Sequence, residues 1–210
     1  MCIRDREKRT YLEKLRVVGK GAVPDTVSGP GPVRPGQVLP AVVVPTQTGE
    51  AWTIGAGQQV PTAVAFLYTT CPLPEFCPMV VSRLQGLQEG LSGQEARILA
   101  VTIDPERDTR EVLVSFAERA GARPEVWRFG RLEKTEDLQA LALRAALTVT
   151  EDDNGTDILH SLRLMVLDRE GRLVERYDDN NWPLERVLEQ LRTGKPPAPP
   201  GSDGTLTPRE

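Results

Sequence analysis

The chain has one histidine, three cysteines and 5% aromatic residues in 210 positions, so its side-chain chemistry rests on very few groups. Positive charge is not in excess either. Lys and Arg number 26 against 30 Asp and Glu, a formal net charge of -4, which speaks against a nucleic-acid surface held by counterion release. No stretch reaches the roughly 18 consecutive apolar residues that a membrane-spanning helix needs. The basic opening is not followed by the apolar run and small-residue cleavage site of a secretory signal. Arg4, Arg6, Lys8, Arg9, Lys14 and Arg16 crowd the start, as in a solvated arm or a segment flanking a membrane anchor. Met1-Cys2-Ile3-Arg4-Asp5-Arg6 resembles translated sequencing adapter, and on that expectation Cys2 stands outside the protein's chemistry.

What is present is ordinary for one globular domain: 39% hydrophobic and 27% charged residues. Residues 1–36 read as an arm and linker, because Gly29-Pro30-Gly31-Pro32, Pro35 and Gly36 leave little to pack. Residues 194–210 read as a disordered tail of the same kind, which leaves 37–193 as the folded domain. Within it, Val38–Val44 and Trp52–Ile54 predict an N-terminal hairpin about Thr48-Gly49-Glu50. Val64–Tyr68, Ile98–Ile103 and Leu162–Leu167 are continuous apolar runs, as expected of strands covered on both faces. Leu173–Tyr177 alternates like an edge strand. Helices are predicted from Pro78, with Val80, Leu84, Leu87 and Leu91 on one face, from Asp108 as cap with Glu111 three residues on, over 136–147, and from Pro183. The order hairpin, β, α, β, α, α, β-hairpin, α fits an α/β sandwich about a mixed sheet. Periodicity leaves thioredoxin-like and flavodoxin-like folds open, and the cysteines decide for the first.

Cys71 and Cys77 join the first buried strand to its helix, in Thr70-Cys71-Pro72-Leu73-Pro74-Glu75-Phe76-Cys77-Pro78. Ligands gather at the carboxyl ends of strands in open α/β sheets. A helix start there favours thiolate, the form that attacks disulfides and binds soft metals. A structural disulfide closing so short a loop would stabilise little. His160 just precedes the third apolar strand, whose approach passes beside the first strand's end in a thioredoxin-like topology. Two thiolates and one imidazole suit Cu(I). Structural zinc takes four ligands and an iron–sulfur cluster four thiolates, which leaves copper. Asp104, Asp108 and Asp157 are candidates for a hard oxygen ligand to Cu(II), but turn-making and capping explain them better.

Three segments carry a resemblance to the Sco/SenC family of copper chaperones over about Gln37 to Leu191. They are Thr70-Cys71-Pro72 through Phe76-Cys77-Pro78; Ile103-Asp104-Pro105-Glu106-Arg107-Asp108-Thr109; and His160-Ser161-Leu162-Arg163 with Val166-Leu167-Asp168-Arg169-Glu170-Gly171-Arg172-Leu173. The family pattern places three residues between the cysteines, where this chain has the five from Pro72 to Phe76. Arg110 replaces a proline that often follows Asp-Thr. The resemblance implies a thioredoxin-like fold and a bacterial, membrane-associated protein, in the periplasm or on the outer face of the cytoplasmic membrane. It implies Cu(I) and Cu(II) held by Cys71, Cys77 and His160. It also implies a role in cytochrome c oxidase assembly, with the copper-receiving oxidase subunit or another copper chaperone as partner. The alternative is a thiol–disulfide oxidoreductase in which Cys71 and Cys77 form a redox-active disulfide. His160 discriminates, since exchange does not require it. A thiol peroxidase is disfavoured: threonine would stand three residues before the attacking cysteine, and Tyr68 and Pro74 occupy those places.

Overall fold

The computed structural model describes residues 31–71, 73, 76–151 and 158–195. The basic arm with Cys2, Pro72, Pro74, Asp157 and the Pro/Gly-rich tail beyond 195 lie outside the described residues. In chain order the elements are β1 (Val42–Pro45), β2 (Ala51–Ile54), β3 (Thr62–Leu67), α1 (Cys77–Gly90), β4 (Arg97–Thr102), α2 (Arg110–Arg119), β5 (Trp127–Gly130), α3 (Thr135–Ala145), β6 (Val149–Glu151), β7 (Ile158–His160), β8 (Leu164–Leu167), β9 (Leu173–Tyr177) and α4 (Leu184–Thr193).

Five strands form the central sheet in the order β5–β4–β3–β8–β9. β3, β4 and β5 are parallel, whereas β8 runs antiparallel to both β3 and β9. Neighbouring residues of a strand point to opposite faces. The unbroken burial of Thr62–Leu67 therefore means that β3 is covered on both sides, as its sequence predicts. On α1, Leu84 and Leu87 are fully buried and Val80 nearly so. Burying each leucine contributes roughly 1.5–3 kcal/mol, which is how a helix with little intrinsic capping is held against the sheet.

Both sheet edges are managed. The β1–β2 hairpin lies along β5: Thr46 bridges Gly130, Arg131 N–H donates to the Pro45 carbonyl at 2.9 Å, and Gln47 N–H to that of Phe129 at 2.9 Å. A Cβ at Gly130 would lie 2.5 Å from Val44 Cγ1, so that approach needs glycine. Along β9, Val38 bridges Arg172, while Gly36 N–H donates to the Leu173 carbonyl at 2.7 Å. Val33 is buried ahead of them.

Four features differ from the sequence expectations. β5 was not expected at all; it pairs with β4 from Ile98↔Trp127 to Val101↔Gly130. β6 and β7 form a separate antiparallel pair outside the central sheet, in which Val149 faces His160. Cys77 is the first residue of α1, not the residue before it. Asp108 does not cap α2: Thr109 does, its Oγ1 accepting from Val112 N–H at 3.4 Å. The physical reason is that Asp108 is wholly buried and occupied elsewhere.

Candidate metal centre

β3 leads through Tyr68 and Thr69 into the cysteine loop, and α1 starts on Cys77. Phe76 makes no side-chain cap and no acidic residue stands in the first turn, so the positive end of α1 faces the sulfurs without a carboxylate from the helix itself. Loop and sheet are pinned together by Asp108. Its carboxyl accepts from Thr69 N–H at 3.1 Å, from the Thr69 hydroxyl, and from the Thr102 hydroxyl at 2.5 Å. The ends of β3 and β4 are thereby fixed beneath the cysteines.

Both Cys71 and Cys77 are free thiols, Cys77 buried and Cys71 partly exposed. They differ in charge preference. The Cys77 thiol donates to the Cys71 sulfur, which draws Cys71 down to about 6 against opposing burial, with help from the backbone of Cys77 and Leu73. Cys77 is pushed up, first because it is the donor in that bond, then by burial and the neighbouring Cys71 charge. Cys71 is the thiolate and Cys77 the thiol.

His160 comes from β7 and is 5% exposed. Its Nε2 lies 3.8 Å from Cys77 Sγ, and its Nδ1 lies 3.0 Å from the Ser161 carbonyl. That carbonyl can only accept, so Nδ1 carries the proton and Nε2 presents its lone pair toward the sulfur. Burial lowers the imidazole to about 4, with the Ser161 bond opposing, so the ring is neutral at pH 7. A neutral ring with its second nitrogen hydrogen-bonded to a carbonyl is the form that ligates metals.

Tyr68 is a site residue that its sequence did not reveal, since it ends an apolar run. The hydroxyl donates to the Ile158 carbonyl at 3.0 Å, and the ring meets His160 edge-on at 5.7 Å between centroids. It thus ties the histidine strand to the cysteine strand. Among the described residues, no three Cys, His, Asp or Glu side chains form a ready-made ion site. The structure brings Cys71 to Cys77 and Cys77 to His160. Asp104 is held in its own turn by Arg107 Nε at 2.5 Å, and Asp108 by the two threonines.

The SCO1/SenC family model matches residues 43–194, well over half of the chain. The chain belongs to the SCO1/SenC family. Among solved structures it is similar to a SCO1/SenC family lipoprotein from Bacillus anthracis str. Ames, with 18% identity and a TM-score of 0.65 over 74% of this chain and 94% of that one. It is likewise similar to BsSco, a member of the Sco family of cytochrome c oxidase assembly proteins, with 17% identity and a TM-score of 0.64 over 76% and 95%. A third is Arabidopsis thaliana ScoI with copper bound, with 17% identity and a TM-score of 0.60 over 74% and 96%. The fold of this Sco-family chain is thioredoxin-like, with the β1–β2 hairpin ahead of the central sheet. No helix among its described residues is long and apolar enough to cross a membrane.

Proposed function

We propose that this chain is a copper metallochaperone of cytochrome c oxidase assembly, with Cys71, Cys77 and His160 holding the ion. Copper is cargo, to be passed to the copper-receiving oxidase subunit or to another chaperone. The observation that carries the reading is the 3.8 Å approach of His160 Nε2 to Cys77 Sγ, with Nδ1 committed to Ser161. Two soft sulfurs and a neutral imidazole are a donor set for Cu(I). Loading requires the Cys77 proton to leave, and the Cys77–Cys71 hydrogen bond and the Cys77–His160 contact give way to bonds with the ion. Copper-bound ScoI of the same fold and the oxidase-assembly role of BsSco support this. The lipoprotein relative supports a place outside the cytoplasmic membrane, tethered to it.

A second reading has its own observation. A partly exposed thiolate beside a buried thiol is the pairing of an attacking and a resolving cysteine in disulfide exchange. One experiment separates the two. The reduced chain is titrated with Cu(I) against a competing chelator, in the native sequence and in His160→Ala. The chaperone predicts an affinity loss of at least about a hundredfold, beyond what loss of an outer partner costs. Equal, weak binding in both, with disulfide-reductase activity intact, would establish the exchange enzyme instead.

A further inference from the structure

Beside the thiols, α1 and α2 border a cavity of 340 Å³ whose floor includes Cys71 and Cys77. Pro78, Val81 and Phe116 give it apolar walls. Its width is set by rigid ties: Gln85 Nε2 donates to the Ala120 carbonyl at 3.0 Å, and Gln88 Nε2 to that of Gly121 at 3.0 Å. The volume is at the small end for ligand sites, enough for a few side chains of an extended segment but not for a folded domain. Besides the sulfurs, one charged side chain among the described residues lines it, the exposed Arg119. Its guanidinium stacks over the Phe116 ring at 5.7 Å and, among the described residues, makes no ion pair. An apolar trough that ends on a nucleophilic sulfur and carries one unpaired cation selects its occupant by shape and sign.

We propose that this groove receives an extended segment of a partner polypeptide presenting a cysteine with an acidic residue nearby, and that Arg119 selects the acid. The proposal rests on the reading that Cys71 exchanges with a partner's sulfur, and it adds which sulfur is admitted. A partner cysteine that reaches Cys71 along the groove between α1 and α2 carries its neighbours in sequence past Arg119, which lines the same groove. Repulsion from Arg119 disfavours thiols flanked by Lys or Arg.

The test uses the full reduced chain in a Cys2→Ser background and short Gly/Ser peptides. Each peptide bears one cysteine, activated as its mixed disulfide with 5-thio-2-nitrobenzoate, and Glu, Gln or Lys two residues away. The Cys71 thiolate attacks the peptide sulfur and forms a Cys71–peptide disulfide. The peptide–thionitrobenzoate bond breaks, and its electron pair leaves as the coloured thiolate. Each rate is divided by that variant's rate with neutral 4,4′-dithiodipyridine. The Glu peptide should react about threefold faster than the Gln peptide and the Lys peptide about threefold slower, the range of an exposed charge pair. Arg119→Gln should flatten the order and Arg119→Glu reverse it, and about 0.5 M salt should flatten it in the native chain. An order that survives Arg119→Glu overturns the proposal. So does indifference to the flanking residue, which would make the groove an entrance for small thiols. Selectivity that persists where Cu(I) titration shows no role for His160 leaves the groove standing and removes the chaperone. A Cys71 inert even to dithiodipyridine overturns the exchange reading and the groove together.

Discussion

The two ends of β3 both carry buried polar side chains, yet they are built for opposite purposes. At the amino end, Gln58 accepts from Gly55 N–H at 2.8 Å and donates to the carbonyls of Val60, at 3.1 Å, and Asp168. Asp168 in turn accepts from the N–H groups of Glu170 at 3.0 Å and Arg172 at 2.8 Å. These are short bonds between permanent partners, locking the β8–β9 turn to the start of the sheet. At the carboxyl end, Cys77 Sγ meets His160 Nε2 at 3.8 Å and shares its own proton with the Cys71 sulfur. Sulfur bonds of that kind are weak and can be exchanged for an ion or another sulfur. The same strand therefore has one end that holds the fold and one whose contacts are meant to be replaced. Asp108 marks the division: it fixes the backbone under the thiols and leaves the thiols themselves unfixed.

The largest expected effects set the two ends directly against each other. Gln58→Ala leaves the Gly55 N–H without a partner and takes one donor each from the Val60 and Asp168 carbonyls, which keep the Thr62 hydroxyl and the Gly171 N–H, and should cost about 1–3 kcal/mol in urea unfolding. Its Cu(I) affinity should stay within about twofold of native. Cys77→Ser should do the reverse, lowering Cu(I) affinity by more than about a hundredfold, as expected for a lost soft ligand. Its stability should change by under about 1 kcal/mol, within the range of a mild substitution. Equal destabilisation by the two substitutions would erase the distinction between the ends.

A smaller effect sharpens the contrast through pH. His160 in the folded chain titrates at about 4, against 6.5 when exposed, because burial opposes its charge. As pH falls from 6.5 toward 4 the unfolded chain takes up a proton that the folded chain does not, so stability falls with pH in that window. At 1.36 kcal/mol per pH unit the loss reaches up to about 3 kcal/mol and stops below pH 4. The same measurement in His160→Gln should lack this contribution. Parallel pH profiles for the two proteins would mean that the imidazole is not buried beside Cys77. Gln58→Ala removes no titratable side chain and should shift the native profile down without changing its shape in this window.

How much of this was legible before the structure follows from the physics of each element. β3, β4 and β8 announce themselves as apolar runs, and α1 as Val80, Leu84, Leu87 and Leu91 on one face. β5 does not, because Trp127-Arg128-Phe129-Gly130 is four residues long with a cation in the middle. That cation belongs there: Arg128 stacks over Trp52 at 4.6 Å, as Arg97 does. β6 and β7 are three residues each and flank a polar stretch, so no period can reveal them. The approach of His160 to Cys77 was readable from topology. The part of Tyr68 was not: its hydroxyl partner, the Ile158 carbonyl, is 90 residues away in the chain.

Asp108 and Thr109 show the same limit at the scale of one residue, and the smallest expected effects test it. The pattern Asp108-Thr109-Arg110-Glu111 satisfies the cap-and-glutamate spacing at Asp108, yet the buried position won that side chain for Thr69 and Thr102. Thr109 is left with the cap through one bond of 3.4 Å, long for its kind. Thr109→Ala should therefore cost only about 0.5 kcal/mol, the low end for caps. Asp108→Asn takes an acceptor oxygen from a buried site that faces three donors and should cost about 1–2 kcal/mol. It should also slow reaction of Cys71 with dithiodipyridine, because the loop over Thr69 loses its anchor, whereas Thr109→Ala should leave that rate alone. If Thr109→Ala proved the costlier and both left Cys71 unchanged, Asp108 would be a helix residue after all. The pin between the fixed and the exchangeable parts of the sheet would then have to lie elsewhere.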